Sequence, residues 1–319
     1  MPIIAADNPF DFDAAKRLPA NIRFGTSTWT YPGWKGLIYQ REYASEKEFT
    51  AKSLEEYAQF PLFRTVGIDS SFYAPPKRQL LQSYATMVPE NFRWVSKVWE
   101  RITIPKYPGH RRYGALAGKE NPDFLHAERF RTEVLTPYVE ADIKAHTGPF
   151  VFQFPTISKS VLSPAQFFDR LNTFLSQLPK EFSYAIELRN PELLNAHYFS
   201  ILNTHRATHC FNHWHYMPRL ADQMKCAADA GGLDADFYVA RILTPLGVSY
   251  ENAVKLFSPY ETLKRENPEM RTDAVRLIKR AVETKKSAFI IVNNRAEGNA
   301  PMTIDAIGKM AAQDLLYEG

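Results

Sequence analysis

Eight short apolar segments recur along the chain, and each is followed by a segment with helical character. The apolar segments are rich in β-branched and aromatic residues and are bounded by turn-forming residues, which is typical of buried strands. The predicted strands begin near Ile22, Arg64, Phe92, Phe150, Ser183, Ala207, Phe237 and Ala288. Alternation of strands and helices predicts either a parallel barrel or a doubly wound sheet, and the count of eight favours the barrel.

We therefore predict one α/β domain, a single (β/α)8 TIM-type barrel that spans residues 22–319. A chain of 319 residues could hold two average domains, but barrels of this type reach the same size. Residues 1–21 show no periodicity and are predicted to form a loosely ordered N-terminal arm. A long excursion follows the third strand, from about residue 98 to 122, where Pro and Gly interrupt every regular pattern.

Composition and cysteine content predict a cytoplasmic protein. The hydrophobic fraction of 45% and charged fraction of 23% are ordinary for a globular chain. The two cysteines, Cys210 and Cys226, match neither a disulfide framework nor a metal motif, which fits a reducing compartment. We find no apolar signal-peptide core and no run of membrane-spanning length, so no membrane association is expected. A net charge of +4 is too diffuse to identify nucleic acid as a partner.

Charged residues at the ends of the predicted strands suggest where the chemistry lies. Parallel barrels carry their active sites at the carboxyl ends of the strands. Lys97, Glu187, Arg189 and Arg241 lie inside or beside apolar runs, where an unpaired charge is costly. They predict either a ring of structural ion pairs, for instance between Glu187 and Arg241 or Lys97, or a functional site. The sequence leaves both interpretations open.

In the functional interpretation, cations neutralise a ligand and carboxylates transfer protons. Glu187, Lys97 and Asp69 are the predicted catalytic residues, with Glu187 and Asp69 as general base or acid. The predicted ligand-binding residues are Trp29, Trp34, Tyr73, Arg101, Gln153, Arg189, Arg241, Asn293 and Asn294. The aromatic members would provide stacking or hydrogen-bonding walls, although simple packing is the alternative for both tryptophans. The two asparagines precede a helix, at a position where barrels often bind phosphate.

A basic stretch in the excursion supports a second hypothesis, a non-catalytic nucleic-acid-binding protein. Between Lys97 and Arg112, cationic residues alternate with aromatic ones. This interleaving suits phosphates held by charge and bases held by stacking. Solvated surface is the ordinary explanation of such a charge run.

A third hypothesis is a divalent-metal enzyme. The histidines near the sixth strand are His205, His209, His213 and His215. Asp69, Glu187 and His213 would form the ligand set, but no zinc-binding spacing is present. The chain also lacks a P-loop, a dinucleotide fingerprint and a serine nucleophile elbow. The leading interpretation therefore includes neither a metal nor a cofactor.

Several segments, taken in order, resemble the YecE-like family, also called domain of unknown function 72. The matching pieces are Gly25–Trp29 with Tyr31 and Gly33–Trp34, Ser71–Tyr73, Lys97 with Arg101 and Thr103, Phe152–Pro155, Glu187–Arg189, Tyr238–Arg241, and Asn293–Asn294 with Gly298 and Ala300–Pro301. The resemblance runs from Ile22 nearly to the C-terminus and implies a TIM-type barrel with an open mouth. It implies no reaction, and the family's likeness to endonuclease IV and sugar isomerases concerns the fold alone.

Three positions depart from the pattern of the family that this chain resembles. Gly67 replaces a common Glu, Ile104 replaces a common His, and an Asp after the sixth strand is replaced around Asn212. If those positions are catalytic in relatives, this chain is a divergent or inactive branch.

The leading prediction is a barrel whose C-terminal mouth binds a small phosphorylated or otherwise anionic ligand. Phosphodiester hydrolysis is the candidate activity. The sequence leaves the substrate and the oligomeric state open.

Overall fold

The computed structural model describes residues 9–316, in which eight parallel strands form one sheet that curls into a nearly closed barrel. The strands are β1 (Ile22–Thr26), β2 (Thr65–Ile68), β3 (Arg93–Lys97), β4 (Thr147–Gln153), β5 (Tyr184–Glu187), β6 (Thr208–His213), β7 (Phe237–Ile242) and β8 (Ser287–Val292). Each strand pairs with its neighbour in the chain from β2 to β8, and β8 pairs with β1. The predicted (β/α)8 TIM-type barrel is confirmed.

Helices connect the strands and surround the barrel. They are α1 (Phe12–Arg17), α2 (Glu46–Gln59), α3 (Arg78–Met87), α4 (Glu100–Thr103), α5 (Ala127–Arg129), α6 (Thr136–Ala141), α7 (Pro164–Ser176), α8 (Ala196–Thr204), α9 (Leu220–Asp229), α10 (Tyr250–Phe257), α11 (Pro268–Glu283) and α12 (Ala300–Leu316). Short 3-10 helices span Pro32–Trp34, Asp69–Phe72, Arg111–Leu116, Pro191–Leu193 and Asn294–Ala296, and a π-helix spans Phe130–Leu135. Within residues 9–316, no helix combines the length and apolarity that crossing a membrane requires.

The helix predicted between about Phe124 and His146 is shorter in the structure. It extends from Ala127 to Ala141 through the π-helical segment. Asp142 adopts a left-handed backbone conformation with φ of 55°, which ends the helix. β4 then begins at Thr147, earlier than the predicted start at Phe150.

Part of the predicted N-terminal arm is helical. The Asp11 side chain accepts hydrogen bonds from the backbone N–H groups of Asp13 and Ala14 and so caps α1. Ala14 is buried, and α1 packs on α12. This helix was not predicted, because its 6 residues are too few to show a helical period. Residues 1–8 of the predicted arm lie outside the described residues.

Alternating strand residues fill the inside of the barrel and set the direction of the polar side chains at its mouth. Val95, Val151, Ala185 and Val239 belong to a separate buried cluster inside the barrel. Successive side chains of a strand face opposite sides, so the residue two positions further along faces inward again. This step leads from Val95 to Lys97, from Val151 to Gln153, from Ala185 to Glu187 and from Val239 to Arg241. The same alternation that builds the core therefore directs these polar groups to one place.

A side chain, rather than a ladder of backbone hydrogen bonds, completes the barrel between β1 and β2. One isolated bridge joins Phe24 to Phe63 at this β1–β2 seam. Beyond the bridge, the buried hydroxyl of Tyr57 from α2 accepts a hydrogen bond from the Thr26 backbone N–H at 2.8 Å. The same hydroxyl donates to the Thr65 carbonyl oxygen at 3.3 Å. Tyr57 thus links two strands that are not otherwise paired there.

Candidate functional site

A cleft of about 330 Å³ opens at the carboxyl ends of the strands, and we call it the mouth cleft. Its charged lining residues are Asp69, Lys97, Arg189, Arg241 and Arg295, and its aromatic ones are Tyr73, Trp214 and Tyr250. These residues come from loops and strand ends far apart in the chain. The barrel topology therefore brings the strand-end charges to one rim, as the sequence predicted.

Glu187 lies beneath the mouth cleft and binds two arginines. Its side chain is fully buried. Oε2 accepts a hydrogen bond from Arg241 Nη1 at 2.6 Å, and Oε1 accepts one from Arg189 Nη2. Burial alone would raise the pKa of Glu187, but the two guanidinium groups outweigh burial and lower that pKa below its ordinary value. Glu187 is therefore an ionised carboxylate with both oxygens occupied.

Arg241 extends this ion pair to the second strand. Its Nη2 donates to both carboxylate oxygens of Asp69, each at 3.1 Å. Gln153 Oε1 accepts from Arg241 at 3.3 Å and from Arg189 at 3.4 Å. Burial would lower the pKa of Arg241, but Glu187 and Asp69 raise it above the ordinary value. These five residues form what we call the Glu187 network, which ties β4, β5 and β7 to the end of β2.

Two arginines of the mouth cleft retain unused hydrogen-bond donors. Among the residues that the structure describes, Arg189 Nη1 and Arg295 Nε are buried without a hydrogen-bond partner. Burial lowers the pKa of Arg189 to about 10, an effect that Glu187 opposes. A buried donor without an acceptor costs about 1–3 kcal/mol. A ligand that supplied oxygen acceptors here would remove that cost.

Lys97 is a third cation with unused donors. Its Nζ lies 3.7 Å from the centre of the Phe72 ring. Within residues 9–316, Nζ makes neither an ion pair nor a hydrogen bond. Burial lowers the pKa of Lys97 to about 8, and Asp69 opposes this fall whereas Arg241 adds to it. Lys97 thus loses its charge closer to neutral pH than an ordinary lysine does.

Aromatic rings border the mouth cleft, and each has an arginine against it. The guanidinium carbon of Arg189 lies 4.1 Å from the Trp214 ring centre, and that of Arg295 lies 4.5 Å from the Tyr250 ring centre. Arg112 lies 5.3 Å from the Tyr73 ring centre. Tyr73 and Tyr250 remain 63% and 46% exposed. The rim therefore offers open aromatic surface next to positive charge.

Most of the predicted site residues meet at this cleft. Those that line it are Asp69, Lys97, Tyr73, Gln153, Arg189, Arg241 and Asn293. Glu187 lies below the lining and binds two of the lining arginines, Arg189 and Arg241. The expectation that polar residues at the carboxyl ends of the strands converge therefore located the cleft. The roles of its residues remain predictions.

Four predicted ligand-binding residues lie elsewhere. Trp29 and Trp34 are 4% and 1% exposed and belong to the hydrophobic core, a placement that favours the packing alternative. Arg101 binds Asp123 within the excursion. Asn294 Oδ1 accepts a hydrogen bond from the Ala300 N–H at 2.9 Å at the start of α12. None of these four residues lines the mouth cleft.

The structure adds three residues that sequence reasoning did not select. Trp214 follows β6 directly, but the predicted strand stopped at Phe211, two residues before its observed end at His213. Arg295 lies in the predicted phosphate loop after β8 and is its one cation. Tyr250 begins α10 within a long irregular segment. Trp214 and Arg295 could have been identified from the sequence, because each lies just after the end of a strand. No sequence signal pointed to Tyr250.

The predicted metal ligands do not converge. The oxygens of Asp69 and Glu187 accept hydrogen bonds from arginines. His213 Nδ1 instead lies 2.8 Å from the Thr244 carbonyl oxygen. In the described part of the chain, no group of three or more His, Cys, Asp or Glu could hold a metal ion. The donor set of the third hypothesis is therefore not assembled.

The basic stretch of the excursion is divided among several environments. Lys97 belongs to the mouth cleft. Arg101 pairs with Asp123, and Arg112 pairs with Glu100. The exposed cations that remain in this stretch are Lys106 and Arg111, and His110 is exposed beside them. Pairing with carboxylates reduces the charge that this surface offers to a polyanion.

The departures from the family pattern lie beside the site rather than in it. Gly67 is buried, and a Cβ atom there would come within 3.0 Å of the Ser27 carbonyl oxygen. Ile104 is buried, and the Asn212 amide donates to the Leu188 carbonyl oxygen at 3.1 Å. None of the three lines the mouth cleft. These three departures therefore leave the cations that line the cleft in place.

Comparisons with known proteins agree with the fold. A family model described as protein of unknown function DUF72 matches residues 23–316. A DUF72 family protein from Enterococcus faecalis V583 is 16% identical over 92% of this chain and 95% of its own, with a TM-score of 0.61. A DUF72 family protein from Thermotoga maritima MSB8 is 17% identical over 91% of this chain and 98% of its own, with a TM-score of 0.59. At these identities the likeness concerns the fold alone. No curated relative matches the chain.

Proposed function

This chain belongs to the DUF72 family, which is defined without a known function, and we propose that its mouth cleft binds a small phosphorylated or otherwise anionic ligand. The main support for this proposal is an excess of positive charge around the mouth cleft. The cations that line it are Lys97, Arg189, Arg241 and Arg295. The carboxylates of Asp69 and Glu187 already bind arginine. An anion would complete the neutralisation that these two carboxylates begin.

Unused donors and cleft size support a small ligand. Within residues 9–316, Arg189 Nη1 and Arg295 Nε are buried without acceptors, and a charge-assisted hydrogen bond contributes about 1.5–3 kcal/mol. The cleft volume of about 330 Å³ lies at the lower end of the range for small-molecule sites. A phosphate monoester or a similar anion fits this volume better than a nucleic-acid duplex.

Phosphodiester hydrolysis would require a general base, and the contacts of Glu187 and Asp69 do not suit that role. A general base needs an accessible lone pair and a pKa near the working pH. Glu187 is fully buried, has a lowered pKa and accepts hydrogen bonds from arginines on both of its carboxylate oxygens. Asp69 is held by Arg241 through both oxygens. These contacts suit a role in positioning the arginines better than a role in activating water.

Replacing Arg295 with glutamine should weaken sulfate and phosphate binding by about 10- to 100-fold, because one charge-assisted donor is lost. Isothermal titration calorimetry with inorganic sulfate and inorganic phosphate measures the effect. Arg111→Gln is the matched control, since Arg111 is exposed and lies outside the mouth cleft. It removes the same charge and should change affinity less than threefold.

If Arg295→Gln and Arg111→Gln lowered the affinity for sulfate equally, the result would contradict a localised site. It would indicate that the anion responds only to the net charge of the protein. The same pair of variants tests the nucleic-acid hypothesis. Binding of single-stranded DNA that falls steeply with salt and depends on Arg111, but not on Arg295, would favour the exposed part of the excursion instead.

Sulfate affinity should also fall as pH rises from 7 to 9.5, because Lys97 loses its charge over this range. Burial lowers the pKa of Lys97 to about 8, and the protonated form is the one that attracts an anion. Above that pKa the binding constant should fall by up to about tenfold per pH unit. Sulfate is the probe because its own charge is constant there. In Lys97→Met the affinity should be weaker and nearly independent of pH; an unchanged pH slope would exclude Lys97 as the titrating group.

A further inference from the structure

We infer that Lys97 acts as a nucleophilic amine, which forms an imine with a phosphorylated aldehyde or ketone bound in the mouth cleft. This inference rests on the proposed function, because the arginines of the cleft would hold the phosphate of that compound. It adds a covalent step and a chemical class of substrate.

The position of Lys97 fits this role. It is the last residue of β3 and faces the inside of the barrel, where its side chain lines the mouth cleft. In the described part of the chain, no acceptor oxygen binds its Nζ, and the aromatic face of Phe72 lies 3.7 Å away. Surface lysines such as Lys35 and Lys52 are instead ion-paired. Of these three lysines, Lys97 is the one that lines the mouth cleft and whose Nζ is not ion-paired with a carboxylate.

The charged groups around Lys97 come from several elements. Asp69 follows β2, Glu100 begins α4, Glu187 and Arg189 lie at the end of β5, and Arg241 lies on β7. The carboxylates closest in effect, Asp69 and Glu187, are both bound by Arg241. Burial and, to a smaller extent, the nearby guanidinium groups disfavour a further buried cation, so the free amine becomes accessible near neutral pH.

The fraction of free amine follows from this environment. With the pKa of Lys97 lowered to about 8, about a tenth of the side chain is unprotonated at pH 7. An ordinary lysine has less than about a thousandth in that form. The nucleophilic form is thus enriched more than about 100-fold.

The reaction balances without any additional reactant. The Nζ lone pair attacks the carbonyl carbon, a C–N bond forms, and the carbonyl oxygen receives one proton from nitrogen, which gives a carbinolamine. The second N–H proton and the hydroxyl group then leave together as water, and the C–N bond becomes a C=N bond. No group is oxidised or reduced, and one water molecule is released for each imine formed.

The remaining donors explain why the carbonyl compound would carry a phosphate. Arg189 Nη1 and Arg295 Nε are buried, lack acceptors among the residues that the structure describes, and border the same cleft as Lys97. Two or three charge-assisted donors match a phosphate group. Anchoring of the phosphate would raise the local concentration of the carbonyl group at Nζ.

Reductive trapping tests the inference. The full-length protein is incubated at pH 7.5 with sodium cyanoborohydride and either dihydroxyacetone phosphate or dihydroxyacetone, and adducts are located by intact mass and peptide mapping. We expect a single adduct at Lys97, formed at least about tenfold faster with the phosphorylated ketone. Lys97→Arg keeps the charge and should lose the adduct, as should Lys97→Met. Lys106→Met, a control at an exposed lysine, should trap at the wild-type rate.

The outcomes separate this inference from the proposed function. Sulfate binding without an adduct at Lys97 would overturn the inference and leave the anion site intact. Adducts spread over surface lysines at equal rates would also overturn it. Trapping at Lys97 at the same rate with both ketones, together with no sulfate binding, would overturn the anion site and the assignment of a phosphorylated substrate. Circular dichroism of each variant confirms that a lost adduct does not reflect a lost fold.

Discussion

Gly25→Ala should lower the free energy of unfolding by about 3 kcal/mol or more, the upper end of the cost of overpacking. A Cβ atom at Gly25 would lie 2.0 Å from the Thr65 carbonyl oxygen and 2.5 Å from the carbonyl carbon. Both contacts are to backbone, so no side chain can rotate away. The β1–β2 seam would have to widen, and the hydrogen bonds of Tyr57 across it would lengthen. Chemical denaturation monitored by circular dichroism measures the loss.

Gly109→Ala provides the matched control for Gly25→Ala. No atom lies within 4 Å of the Cβ position at Gly109, and its backbone needs no left-handed conformation. The same substitution should therefore change stability by less than about 0.5 kcal/mol. If Gly25→Ala were as mild as Gly109→Ala, β1 and β2 would not approach each other as closely as described.

Glu187→Ala should lower the free energy of unfolding by about 3–5 kcal/mol, the usual cost of breaking a buried ion pair. The substitution leaves the guanidinium groups of Arg189 and Arg241 buried, with Asp69 as the single remaining carboxylate of the Glu187 network. Uncompensated buried charge, rather than the lost contact itself, accounts for most of this effect. Urea denaturation at pH 7 provides the measurement.

Glu42→Ala is the control for this substitution. Glu42 pairs with Lys35 at 2.7 Å, but its side chain is 80% exposed, and such surface pairs contribute about 0–1 kcal/mol. Glu187→Gln should be intermediate, since it keeps an oxygen acceptor and loses the charge. A cost below about 1 kcal/mol for Glu187→Ala would show that the two arginines do not depend on this carboxylate.

The fold was predictable because strand periodicity is a local property of the sequence. β7 was predicted with its observed bounds, Phe237–Ile242, and the other strands were displaced by a few residues at most. Charges inside apolar strands then identified Lys97, Glu187 and Arg241, since strand alternation fixes which side they face. The site was thus predictable wherever its residues belong to strands.

The rest of the site depends on loops, whose conformation the strand pattern does not determine. Trp29 and Trp34 follow β1 and were predicted at the mouth, but the loop folds back and buries both rings. Tyr250 reaches the cleft from a helix far along the chain. The role of Glu187 was also left open, because sequence cannot distinguish a carboxylate that faces solvent from one that two arginines enclose.

The β1–β2 seam makes the barrel unequal around its circumference. Every other junction between adjacent strands is a ladder of backbone hydrogen bonds, whereas this one has a single backbone bridge and is otherwise held by side chains. These are the Tyr57 hydroxyl and the guanidinium group of Arg64, whose Nη1 donates to the Ile22 carbonyl oxygen at 3.3 Å. Local unfolding begins where the fewest cooperative contacts must break. β1 remains laddered to β8 on its other side, so the first strand would detach from β2 while keeping its partner from the end of the chain. β1 and β8, which lie near opposite ends of the described chain, would then separate from β2 as one cooperative unit.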